Sequence, residues 1–212
     1  MRKGPTPLAT TTIHEAARVP GGVQRGASLT MKYFTPERWI RFQDPRDKQV
    51  FYSAFGEWEH ALKSYRRKLR RILRESPNRL KRFAESECLH DAMVLAIWQG
   101  RSRLNVILRP DMPTQEVVVL TYTLLADPLI DPSALPAEYR TKHAAWMYDE
   151  IGVAKEENGK VVFIHTLLLS NGWEVTIRFS RFDFVRRKVL LLNSNQEDML
   201  TLFEKPSSAM EA

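Results

Sequence analysis

The chain has 212 residues, 43% apolar and 27% charged, an ordinary globular composition that excludes wholesale disorder. Its one cysteine, Cys88, excludes an internal disulfide framework and a cysteine-based zinc site. The net charge of +7 is concentrated: residues 63–82 hold ten Lys/Arg against the single acid Glu75, residues 1–30 add +3, and the remainder sums to −5.

Residues 1–30 are rich in Gly, Pro, Thr and Ala and are expected to form a disordered extension. Met1-Arg2-Lys3 is basic, but no apolar stretch of signal-peptide length follows it. No run in the chain approaches the ~18–20 apolar residues that span a bilayer. Together with the lone cysteine, this leads us to expect a cytoplasmic protein with no membrane partner. The pattern sharpens at Met31-Lys32-Tyr33-Phe34, which makes Met31 a candidate physiological start.

Residues 31–87 read as a helical region. Thr35-Pro36-Glu37 supplies a cap, a proline at the first helical position and an acid in the first turn. Asp44-Pro45-Arg46-Asp47 repeats the signal and opens a second helix. In it, Phe51, Phe55, Trp58, Leu62, Tyr65, Leu69 and Ile72 recur at spacings of four and three, one apolar stripe over three heptads. The helix should stop near Ser76-Pro77, and a further short helix should end near Glu87. The stripe is expected to pack on a sheet, or to pair with a second copy as a coiled coil, leaving monomer and homodimer both open.

Residues 88–192 read as an antiparallel β region. Strands are expected over 91–98, 103–109 and 115–125, then from Ala144 to Tyr148, over 160–169 and 173–179, and last within 183–192. Asn158-Gly159 and Asn171-Gly172 are hairpin turn signals. Connections this short force antiparallel neighbours. An offset of 58 aligns residues 89–127 with 147–185, which raises a tandem duplication. Residues 193–212 form a tail. The expected fold is α+β: N-terminal helices, one long and basic, packed on a mainly antiparallel sheet of six to seven strands.

The basic helix is the first functional candidate. Arg66, Arg67, Arg70, Arg71 and Arg74 suit either an acidic protein partner or nucleic-acid phosphates; the bland alternative is a solvated face. No helix-turn-helix, zinc-finger or RNP pattern accompanies them. His90, Asp91 and His165 are the second candidate, as ligands of a metal-assisted hydrolase, with Asp149, Glu150 and Asp183 as further carboxylates. They show none of the short spacings typical of metal ligands. No glycine-rich phosphate loop is present, and no cofactor is expected. The tryptophans and Cys88 read as core residues.

Two stretches carry a resemblance. Leu89-His90-Asp91-Ala92 opening a strand resembles small bacterial domains of unknown function and some toxin-immunity-like proteins. Trp146-Met147-Tyr148-Asp149-Glu150 and Phe163 to Val175, with the Met31–Thr35 start, are similar to an uncharacterised bacterial family. The resemblance implies a bacterial cytoplasmic protein and brings no established activity; its immunity-like side implies partner binding. The expected function is therefore a non-enzymatic binding module that uses the basic helix, with nucleic-acid binding and then metal-assisted hydrolysis as alternatives.

Overall fold

The computed structural model describes residues 30–43, 48–111, 115–156 and 158–188. Three helices come first: α1 (Pro36–Gln43), α2 (Lys48–Arg74) and α3 (Asn78–Ser86). The strands are β1 (Met93–Gln99), β2 (Arg103–Arg109), β3 (Glu116–Leu124), β4 (Leu129–Asp131), β5 (Trp146–Lys155), β6 (Val161–Leu169) and β7 (Glu174–Lys188). A single 3₁₀ turn, Ala137–Tyr139, lies between β4 and β5. The molecule is thus α+β, as its sequence pattern requires.

Local chemistry sets the helix limits. Thr35 caps α1, its hydroxyl accepting the Arg38 N–H at 3.4 Å. Residues 44–47, where a start for the second helix is expected, and the segments 1–29 and 189–212 lie outside the described residues. After α2 the Ser76 hydroxyl donates to the Ile72 carbonyl at 2.8 Å, and Pro77 blocks continuation.

The sheet runs in the order β1-β2-β3-β7-β6-β5, with every pairing antiparallel. Within it β1-β2-β3 and β5-β6-β7 are each runs of consecutive antiparallel neighbours, joined by the β3–β7 pairing. One expectation is corrected. Residues 173–179 and 183–188 do not fall in two strands, because one strand, β7, spans 15 residues across both; residues 189–192 of the second expected strand lie outside the described residues. The inward alternation shifts phase between Phe179 and Phe182, where the pairing with β3 slips by one residue, but the strand continues because partners are available along its length: β3, then β4, on one side and β6 on the other. β4, three exposed residues in the proline-rich connection, carries no strand pattern in the sequence.

The sheet curls until its ends meet. Met93 bridges Ala145, the Asp91 N–H donates to the Trp146 carbonyl at 2.8 Å, and the Trp146 N–H donates to the Ala92 carbonyl at 2.8 Å. Bulges between Val94 and Ala96 and between Trp146 and Tyr148 lie at this seam and add the bend it needs.

Strand alternation then creates two cores. Leu167 and Leu169 face one, with Leu108, Leu120, Tyr122 and Phe179, and α3 lies over it through Leu80 and Phe83. Leu168 faces the other, with Met31, Phe34, Tyr65, Leu135 and Met147. The apolar stripe of α2 is shared between these surfaces. Tyr65 and Ile72 are buried against the sheet side, whereas Phe51 and Phe55 stack on Phe42 of α1 at 5.6 and 6.2 Å. Tyr65 also closes an edge: its hydroxyl accepts the Ile151 N–H of β5 at 2.7 Å.

Candidate functional site

The second half of α2 presents its cations on one face. Lys63, Arg66, Arg67, Arg70, Arg71 and Arg74 follow helical spacing, and all six are exposed. Tyr65, Leu69 and Ile72 occupy the opposite side and pack inward. From Lys63 to Arg74 the stripe extends about 16 Å at 1.5 Å per residue. Lys63 has an acid, Glu59, at 3.7 Å, and the Arg67 guanidinium donates to the Ser64 hydroxyl at 3.2 Å. Among the described residues, Arg66, Arg70, Arg71 and Arg74 make no ion pair. Arg41, Arg79, Arg178 and Arg186 each have an acid: Glu57, Asp183, Glu156, and Glu87 with Glu116.

The histidine candidates separate into two groups. His165 is fully buried on β6, its Nδ1 lying 2.9 Å from the Tyr122 hydroxyl and its Nε2 2.9 Å from Asp149 Oδ2. Trp146 Nε1–H donates to the other Asp149 oxygen at 3.1 Å. Burial first, and then the charge of Asp149, push the Tyr122 hydroxyl well above its ordinary value of 10. That hydroxyl therefore keeps its proton, so the ring bridges a buried phenol at Nδ1 and a carboxylate at Nε2. His90 and Asp91 pair with each other instead, Nδ1 to Oδ2 at 2.7 Å, at the exposed turn before β1.

Asp149 stands between these groups. Its side chain is 32% exposed and helps to line a cleft of about 330 Å³ between α2, residues 87–90 and the start of β5. Arg66, His90 and Tyr148 also line it, against apolar walls that include Phe34, Leu62 and Trp146. His165 has both ring nitrogens engaged away from His90 and Asp91. Among the described residues no group of three or more His, Cys, Asp or Glu is placed to hold a metal ion. Asp183 is committed to Arg79 at 3.2 Å. Glu150 is not a spare carboxylate: it accepts backbone N–H groups of residues 32–34.

Tyr122 and the Trp146 indole were not singled out as polar partners from sequence. A usable signal was present: the Asn158-Gly159 turn sets the β5–β6 register, pairing Ile151 with His165 and so placing Asp149 diagonally beside His165 on the same face. Comparison with known proteins returns no matching family and no matching curated relative for this chain.

Proposed function

We propose that the protein is a non-enzymatic binding module that docks an acidic protein surface through Arg66, Arg67, Arg70, Arg71 and Arg74. The observation that carries this reading is the set of four guanidiniums, on one helical face, without an acid among the described residues. A cation left unpaired at the surface is free to meet a partner's carboxylate, and arginine does so through two parallel N–H donors. The i, i+3, i+4 spacing matches acids presented on one face of a partner helix. Nucleic acid is the less favoured occupant. Sequence-tolerant single-strand binders interleave cations with aromatic platforms, whereas the one aromatic of this half of α2, Tyr65, faces inward. The immunity-like resemblance points the same way, toward a role in binding a protein.

The test titrates the protein with a polyglutamate peptide and, separately, with duplex and single-stranded DNA and RNA, at low and near-physiological salt. Polyglutamate should bind with an affinity that falls with salt and is lost in the Arg66→Glu/Arg70→Glu/Arg74→Glu variant. Tighter binding to any of the nucleic acids than to polyglutamate at near-physiological salt would overturn the proposal in favour of nucleic acid. No binding to either polymer would leave the stripe as a solvated face and overturn it too.

A further inference from the structure

Four consecutive backbone nitrogens at residues 31–34 end on two buried carboxylates. The Met31 nitrogen lies 3.1 Å from Glu174 Oε1. The Lys32 N–H reaches both oxygens of Glu150 at 3.0 and 3.1 Å, and the Tyr33 and Phe34 N–H groups reach its Oε1 at 2.5 and 2.8 Å. Glu150 and Glu174 are only 7% and 8% exposed. They flank β6 on one face, Glu150 opposite Thr166 and Glu174 opposite Leu168.

The electrostatics of this place are one-sided. Burial raises the pKa of Glu174, the Met31 N–H lowers it, and the charges acting on it are all acids: Asp131, Glu150 and Glu37. A buried carboxylate is costly unless it is met by hydrogen bonds and opposite charge. At Glu174 an amide supplies the first and only a partial dipole toward the second. The Met31 side chain is itself 5% exposed and packs with Phe34, Met147 and Leu168.

We propose that the working chain is initiated at Met31, and that Glu174, backed by Glu150, is the binding site for the α-ammonium group this start creates. An ammonium at that nitrogen keeps the donor to Glu174, adds two more N–H donors and places a full positive charge among four acids. Burial of the Met31 side chain requires the residue to be retained. Lys32 follows it, a side chain larger than those behind which an initiator methionine is removed.

The decisive experiment is the intact mass of the protein purified from the cells that encode it, expressed from its own locus. The expected mass is that of residues 31–212; a mass that includes residues 1–30 overturns the proposal. Replacing the Met31 codon by leucine should abolish the 31–212 species; its persistence would assign the amine to cleavage and overturn initiation. A stability readout is independent of both. In the chain 31–212, Glu174→Gln should lower Tm by at least about 2–4 °C, and acetylation of the Met31 amine should do the same. In the 212-residue chain, where the nitrogen is an amide, Glu174→Gln should leave Tm unchanged or raise it. Equal losses in the two chains, or a 31–212 chain that does not fold, overturn the assignment.

Discussion

Inside the curled sheet, His165 uses both ring nitrogens on protein groups, and its network has no spare member. His165→Ala strands the Tyr122 hydroxyl in the core and removes a donor from Asp149. Each buried polar group left unpaired costs about 1–3 kcal/mol, so the variant should lose about 3 kcal/mol or more, read as a lower denaturant midpoint at unchanged slope. Tyr122→Phe leaves only the His165 Nδ1 without its partner and should cost less than His165→Ala. Glu174 sets a pH dependence of definite sign. Its folded pKa in the 212-residue chain is raised above the ordinary 4.5, with burial as the main cause. Its contribution is therefore fully present below pH 4.5 and is lost as pH rises through the folded value. Glu174→Gln should flatten the unfolding free energy across that window. At this scale the sequence was only partly legible. His165 and Asp149 stood out as residue types, whereas Tyr122 did not. Tyr122 reaches His165 across β7, which pairs with the strands of both, and no local spacing encodes that approach. Glu150 and Glu174 also looked like ordinary strand acids, because their partners lie 116 to 143 residues away.

Helices and turns were more legible because their chemistry is local. Proline punctuation, the four-three apolar spacing and the two Asn-Gly pairs each operate within a few residues, and each marks a boundary or turn the structure contains. The turns make a paired prediction. Gly159 and Gly172 have φ of 79° and 90°, where a β-carbon is strained. At Gly159 an added β-carbon meets open space, whereas at Gly172 it comes within 2.7–2.9 Å of the Arg140 side chain. That side chain donates from Nε to the Leu135 carbonyl at 2.6 Å. Gly159→Ala should cost about 1 kcal/mol from backbone strain alone, and Gly172→Ala should cost more, both read by thermal unfolding. Along α2, Tyr65→Phe should cost about 1–3 kcal/mol, because the Ile151 N–H then loses its acceptor. The cationic half of the same helix repels itself. Raising salt from about 0.1 to 1 M shortens screening from roughly 10 to 3 Å. Tm should rise with it, and less so in an Arg66→Ala/Arg70→Ala/Arg74→Ala variant. The apolar stripe suits, by its spacing alone, either the sheet or a second copy as a coiled coil. It divides between the sheet and α1 because Phe42 offers Phe51 and Phe55 a closer surface.

For the molecule as a whole, antiparallel pairing followed from short connections, whereas closure of the curl did not. The seam between β1 and β5 joins strands that are neither consecutive nor linked by a turn, and depends on two bulges that no residue pattern announced. The central position of β7 has a consequence in time. It is the last of the described strands to be made, yet β3, β4 and β6 all need it as a neighbour, and it carries the carboxylate that holds residue 31 across a separation of 143 residues. At about 5–20 residues per second, the ribosome takes roughly 10–40 s to reach the end of β7. Over the last 64 residues of that interval, roughly 3–13 s, β3 displays an open hydrogen-bonding edge, β6 joins it for the last 19 residues, and the Met31 nitrogen has no Glu174 to meet until residue 174 is made. A nascent chain of this topology completes its sheet only after most of it has left the ribosome, so those two edges are open to pairing with other chains while β7 is still being made.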